Sequence, residues 1–230
     1  MKVSSNSIGI SKGDFEHLII DGNSTDGSFE HAQMLSKQSS TRLKKQSSKY
    51  LYGAFNDGIN ASKGKYIIFL YCGDVININK VFNLINKFEN FDLIAASCSQ
   101  KINNKIITYL RSDRQKLSVD SMSILHSSLI ISREKYYAVG GFDTRLKISS
   151  DVDCVLKIIK ISKKIKYVDD VIVYMEEYAL SKTHYFKKLK EHSIIKFRHG
   201  GLFKALVHIP KKLILDYIIV PLKLTVKNNI

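Results

Sequence analysis

Proline is nearly absent. Pro210 and Pro221 are the only two, both near the C-terminal end, so no proline interrupts a helix or strand pattern before residue 210. Cysteine is scarce, and Cys72, Cys98 and Cys154 form neither a C-x-x-C pair nor a metal-ligand spacing. That excludes a disulfide framework and fits a reduced compartment. No run reaches the roughly 18 to 20 apolar residues that a membrane-spanning helix needs. The opening MKVSSNSIGI lacks the apolar core of a signal peptide, so the chain is expected to stay cytoplasmic. No internal repeat is present. Acidic residues are few: 21 against 36 lysines and arginines, for a formal net charge of +15. Such an excess implies an anionic partner, whether nucleic acid, an anionic membrane surface or a phosphorylated substrate. The 230 residues, 44% hydrophobic and 25% charged, suffice for one large α/β domain with a sizeable core.

The apolar run Phe15–Ile20 reads as a buried strand ending at Asp21. The turn-rich DGNSTDG that follows offers caps for a helix from Ser28 to about Gln38. Residues 36–49 read as a basic loop with a weak strand, and Tyr52–Ala61 carries helical spacing. Lys65–Tyr71 (KYIIFLY) is the strongest strand pattern, stopping at Cys72-Gly73-Asp74. Further along come a helix over Asn79–Phe88 and strands over Phe91–Ser97 and Ile106–Leu110. Leu129–Ser132 leads into a short helix that ends at Gly140-Gly141. Asp151–Ile161 is an amphipathic helix, and Ile165–Tyr174 a strand. Strands alternating with helices predict an α/β fold with a mostly parallel sheet and helices on both faces. Ligands bind beyond the carboxyl ends of such strands, where Asp21 and Asp74 fall.

Three acidic positions could carry chemistry. Asp21 could accept hydrogen bonds from a base or ribose, or, with Asp26, simply cap the following helix. Asp74 could hold a divalent ion against a diphosphate, or merely end a strand in a turn. In Ser149–Asp153 (SSDVD), Asp151 or Asp153 could act as a general base on an acceptor hydroxyl. The alternative there is an N-cap at Ser150 or Asp151, with both acids suiting the positive end of the helix dipole.

The ordered blocks FEHLIIDGNSTDGS, YLYGAFNDGINASKGKYIIFLYCGD, HSSLIISREKYYAVGGFD and KISSDVDCVLKI resemble the family 2 glycosyltransferases of GT-A fold. They are most similar to the bacterial polysaccharide and lipopolysaccharide branch, which reads IIDGxSTDGT, GIYDAMNKGI, FLNSGD, HQ, GGFD and ADYD in that order. The resemblance covers Phe15 to about Ser181. It implies that Asp21, Asn23, Ser24, Asn56 and Gly73 bind a nucleotide-sugar donor. It implies that Asp74 binds Mg²⁺ or Mn²⁺, and that His126, Gly141, Asp143 and Asp153 line the donor and acceptor pocket. Asp151 would then deprotonate the hydroxyl of a glycan or lipid-linked acceptor, with inversion by direct displacement.

The sequence departs from that pattern in places. The family's opening strand, SIIxPxYN, has no counterpart here, so a sheet with an unpaired edge or a gap in the core is expected. Either upstream sequence supplies that strand or the gene has decayed. The family's EPD is Gln46-Ser47-Ser48, an acid is Gly53, and an Asn-Ser pair is Tyr71-Cys72. Each change removes a polar group expected at the nucleotide or phosphate, which leaves a catalytically inactive scaffold as the alternative function.

The chain divides into a GT-A-like domain over 1–182 and a basic helical tail over 183–230. Ten lysines or arginines against Glu191 and Asp216 put +8 of the net charge in that tail. Leu213–Leu222 is apolar but too short to cross a bilayer. The tail is expected to hold the protein at the anionic inner face of the membrane, or else to pack as an ordinary C-terminal helix. It carries no nucleic-acid reading motif, so nucleic acid is not an expected partner.

Overall fold

The computed structural model describes residues 15–37, 40–102, 105–109, 117–118, 125–175 and 184–214. In chain order the elements are β1 (His17–Asp21), α1 (Ser28–Leu35), β2 (Thr41–Lys45), α2 (Leu51–Ala61), β3 (Tyr66–Ile67), β4 (Val75–Ile76), α3 (Ile78–Lys87), β5 (Leu93–Ile102) and β6 (Lys105–Tyr109). A 3₁₀ turn, His126–Ser128, then leads into β7 (Leu129–Ser132), α4 (Arg133–Ala138), α5 (Ser150–Ile161), β8 (Ile165–Met175) and α6 (Tyr185–Ile214).

β1 and β2 pair in parallel. The other six strands form one sheet in the order β3-β7-β5-β8-β4, with β6 on the far part of β5. The expected α/β architecture with helices on both faces is present. Strand direction is more mixed than the expected mostly parallel sheet. β5–β8 is parallel, whereas β3–β7, β4–β8, β5–β6 and β5–β7 are antiparallel. The short β5–β6 link permits only an antiparallel pair, and β7 returns between β3 and β5.

Alternation along β5 feeds two cores. Leu93 and Ala95 face α2, α4 and α5, while Ile94, Ala96 and Cys98 face α3. On α2, Tyr52, Phe55 and Ile59 recur at helical spacing and are all buried. Burying each such side chain contributes about 1.5 to 3 kcal/mol. Phe55, Phe69, Tyr136 and Phe142 form an aromatic cluster, with the Phe55 and Phe69 centroids 4.5 Å apart and stacked.

The strand predicted over Lys65–Tyr71 is laddered only at Tyr66 and Ile67. Among the described residues β1 pairs only with β2, and β3 only with β7. α2 spans the two sheets instead: a Cβ on its Gly58 would lie 3.7 Å from Ile20 of β1 and 3.9 Å from Phe69. Ile68, Phe69 and Tyr71 are half-buried and Leu70 is exposed. β4, a two-residue strand, carried no sequence signal.

The boundary drawn between residues 182 and 183 lies outside the described residues, but the helix after it is no free appendage. α6 packs on α5 and buries Leu189, Glu191 and Ile195. Its backbone breaks at Gly201 (φ 83°, ψ 174°). Past the break Leu202, Phe203, Leu206 and Val207 are exposed, as are Phe186 and Phe197 before it.

Candidate functional site

Topology gathers the predicted acids on one rim. β1 and β2 are parallel, so Asp21 ends its strand beside Lys45, where the chain turns toward the start of α2. There Tyr52 meets Asp151 at the start of α5. α2 then crosses to the opposite rim, from which β3 runs back toward Asp74. β7 is antiparallel to β3, so the turn before it, His126–Ser128, returns to the same rim. The Ser127 hydroxyl donates to Asp74 Oδ2 at 2.7 Å.

Asp151 is half-buried. The Tyr52 hydroxyl shares its proton between Asp151 Oδ1, at 2.9 Å, and the Ile148 carbonyl, at 2.7 Å. Burial raises the Asp151 pKa to about 6, opposed by hydrogen bonds from Tyr52 and the Val152 amide and by the Lys188 charge. A carboxylate of that basicity is ionised at neutral pH and still suited to taking a proton from a hydroxyl.

Asp74 Oδ2 also accepts the Tyr71 amide at 3.0 Å, closing a turn in which Gly73 takes φ 94°. Among the described residues no three His, Cys, Asp or Glu side chains gather as a metal cage. Mg²⁺ and Mn²⁺ are often held by one or two carboxylates plus water and substrate phosphates, and Asp74 at the rim fits that mode. Asp21 Oδ2 accepts the amides of Asn23 (2.8 Å) and Ser24 (3.1 Å), and this turn holds Asn23 at φ 65°. Asn23 and Ser24 themselves are exposed at the rim.

The structure places the other predicted residues differently. Asn56 is engaged with backbone: Oδ1 accepts the Phe142 amide and Nδ2 donates to the Phe142 carbonyl, at 2.8 and 2.9 Å. Gly141 (φ 69°) lies so close that a Cβ would come within 2.5 Å of Asn56 Oδ1. Asn56 and Gly141 share the lining of a cavity of about 270 Å³ with Asn60, Tyr136 and Tyr137, and Asp21, Asp74 and Asp151 are not among its lining residues. His126 is buried in the aromatic cluster, stacked on Phe69 and 3.0 Å from the Tyr136 hydroxyl. Burial lowers its pKa to about 3, so it is a neutral core histidine and not part of an open pocket wall.

Asp143 and Asp153, expected in the pocket, face α6 instead. Arg198 lies 3.0 Å from Asp143 and 3.2 Å from Asp153, and Arg145 also pairs with Asp143. Asp153 is fully buried with Lys157 at 2.7 Å and His199 at 3.0 Å. Burial would raise its pKa, but the hydrogen bonds from His199 and Lys157 and nearby positive charge hold it at about 2. Arg145 and Lys157 supply local partners, and Arg198, more than 40 residues on in α6, is the cation that bridges the two acids.

Several contacts near the rim were not foreseen in the sequence. Asp57 takes the amides of Ser47 and Ser48 and the Ser47 hydroxyl. A Cβ on Gly53 would strike the Ser48 Cβ at 2.6 Å, so Gly53 and Ser48 fit each other as a pair. Tyr50 sits at φ 68° with its ring under Lys147 Nζ, 3.8 Å away. It stands where the quoted GIYDAMNKGI block has glycine, which was the available signal.

A family model described as "Glycosyl transferase family 2" matches residues 5–139, more than half of the chain. An uncharacterized glycosyltransferase of Rickettsia prowazekii is 29% identical over 145 residues, covering 57% of this chain and 45% of its own. One from Nostoc sp. is 30% identical over 117 residues, covering 49% of this chain and 36% of its own. The chain thus spans about half or less of these relatives' length. Among solved structures, S. aureus TarS in complex with UDP-GlcNAc superposes with a TM-score of 0.67 at 13% identity, over 90% of this chain and 66% of that one. A Pyrobaculum calidifontis mannosyltransferase in complex with GDP-Man and Mn²⁺ gives 0.58 at 16%, over 83% and 57%. These likenesses show the fold, GT-A.

Proposed function

The chain belongs to glycosyl transferase family 2, and from that membership we propose that it transfers a sugar from a nucleotide-sugar donor to a hydroxyl of a glycan or lipid-linked acceptor, in bacterial surface-polysaccharide assembly. The observation that carries this reading is Asp151: a carboxyl held by Tyr52 at the rim, with its pKa raised to about 6. In the reaction, Asp151 takes the proton of the acceptor hydroxyl. The oxygen bonds to the anomeric carbon as the bond to the diphosphate breaks, and the nucleoside diphosphate leaves. Asp21, with Asn23, Ser24 and Gly73, supports the nucleotide side. Asp74 would hold a divalent ion, which supplies positive charge to the leaving diphosphate when bound. Two structural neighbours are described with donors and one of these with Mn²⁺, which supports this choice of ligands.

The exposed apolar residues of α6, among a surplus of lysines, support attachment to an anionic inner membrane face. No helix among the described residues is long and apolar enough to cross a membrane.

The decisive measurement is release of nucleoside diphosphate from UDP-GlcNAc or GDP-mannose with Mn²⁺, in wild type and D151N. Release by wild type that D151N loses supports the reading, and equal release by both rejects it. A second reading, an inactive relative serving as a scaffold, is favoured by one observation. Asp57 and Gly53 accommodate Ser47-Ser48, where an acid of the family block is absent. Calorimetry separates the two, because a scaffold without a donor site gives no heat with either sugar nucleotide.

A further inference from the structure

Glu191 is the only buried acid of α6 among the described residues, and its contacts are specific. Its carboxylate accepts three consecutive backbone amides. Oε1 takes Lys147 at 2.8 Å, and Oε2 takes Ile148 and Ser149, each at 2.9 Å. These residues form the last stretch of chain before α5. The Ile148 carbonyl in turn holds the Tyr52 hydroxyl, which holds Asp151. A short chain of hydrogen bonds therefore runs from Glu191 through the 147–149 backbone and Tyr52 to the Asp151 carboxyl.

We propose that Glu191 is a positioning residue for Asp151: α6 reaches back across the chain to fix the segment that sets the place and solvation of the acceptor base. The proposal rests on the role given to Asp151 above. Two consecutive helical turns supply the parts, since Lys188, one turn before Glu191, presents its charge toward Asp151. Among the described residues, the other ionisable groups facing Asp151 are Tyr52 of α2, Tyr136 of α4 and Cys154 of α5.

The reasoning is geometric. Three amides pointing at one carboxylate constitute a charge-assisted clamp, stronger than neutral hydrogen bonds. Without it those three donors lose their shared acceptor and the 147–149 backbone opens to water. Solvent then reaches Asp151, the penalty on its charged form shrinks, and it titrates nearer an ordinary carboxylate. Arg198 provides the control. It ties α6 to Asp143 and Asp153 without touching the 147–149 amides.

The test uses the full chain with ¹³C-labelled aspartate side chains, titrated by NMR in wild type, E191Q and R198M, with D151N to identify the resonance. Gln keeps the size of Glu but offers one acceptor oxygen to three donors. E191Q is expected to lower the Asp151 pKa by about one unit and to speed amide exchange at Lys147, Ile148 and Ser149 about tenfold or more. R198M is expected to leave the Asp151 titration unchanged even if it lowers the melting temperature. A shift of less than about half a unit in E191Q overturns the proposal. An equal shift in R198M overturns it too, because loosening of the helix alone would then suffice. If E191Q does not fold, E191D takes its place under the same thresholds, since its shorter carboxylate cannot span all three amides. In the diphosphate-release assay, E191Q moves the acid limb to lower pH and reduces kcat more than it raises the donor KM. If wild type shows neither release nor donor binding, the transferase reading falls while the titration still decides the role of Glu191.

Discussion

The hydroxyl of Tyr52 and the carboxyl of Asp151 meet at 2.9 Å although 99 positions separate them in the chain. The bond favours the ionised carboxyl, against burial, which favours the neutral one. Y52F removes the donor and keeps the ring in its place between Phe55 and Phe142. The Asp151 pKa then rises above its present value of about 6. Transfer requires the ionised form, so the acid limb of the pH–rate profile moves to higher pH. At pH 6 the variant loses more activity than at pH 8. A limb that stays in place would show that Tyr52 does not tune Asp151.

The same carboxyl sets a stability cost. Its folded pKa, about 6, lies above the ordinary aspartate value, so the folded chain binds the proton more tightly than the unfolded chain. That contribution is present at low pH and is lost as pH rises through about 6. D151N carries no charge to desolvate, so it should be more stable than wild type at pH 8 by about 1 to 2 kcal/mol, with the gain vanishing near pH 4. Thermal melts at the two pH values measure it. Equal stability at both would mean that Asp151 is not held in a disfavoured state.

These two predictions also show what the sequence could and could not reveal. α2, α3, α5 and β8 were legible because their apolar periodicity is local, and the acidic motifs located Asp74 and Asp151. The Lys65–Tyr71 pattern was equally clear, yet only Tyr66 and Ile67 are laddered, because a strand needs a neighbour that its own residues do not specify. Asp143 and Asp153 were expected in the pocket because the family blocks that carry them imply it, and their shared partner lies far along the chain. Arg198 of α6 pairs with both, and His199 hydrogen-bonds Asp153. Ser127, Tyr52 and Glu191 matter only through contacts formed on folding, which no spacing rule exposes.

Tyr50 provides a backbone prediction. Its φ of 68° and ψ of 168° belong to a region occupied almost solely by glycine. Such a residue stores about 1 to 3 kcal/mol of strain, offset in part by the Lys147 ammonium over its ring. Y50A keeps the strain and loses the ring, whereas Y50G loses both. Y50G should therefore be more stable than Y50A by about 1 kcal/mol in urea unfolding. Equal stability would mean that the start of α2 relaxes away from positive φ.

The exposed end of α6 makes the last prediction. Leu202 and Phe203 recur one turn later as Leu206 and Val207, so the four lie on one side of the helix after Gly201. Phe203 is 79% exposed and Leu206 66%, values that leave most of each ring or chain in water. Lys204 lies among them, and Lys187 and Lys190 are exposed on the preceding turns. Apolar side chains flanked by cations match a bilayer rich in anionic headgroups, where insertion and charge attraction add. Wild type should therefore sediment with phosphatidylglycerol-containing vesicles and not with pure phosphatidylcholine. F203E with L206E should weaken that binding at least about tenfold, since two buried apolar groups are lost and two repelling charges are gained. Neither residue contacts the 147–149 segment in any hydrogen bond, so the Asp151 titration should be the same in this variant. Retained vesicle binding would show that the apolar face after Gly201 is not what meets the membrane.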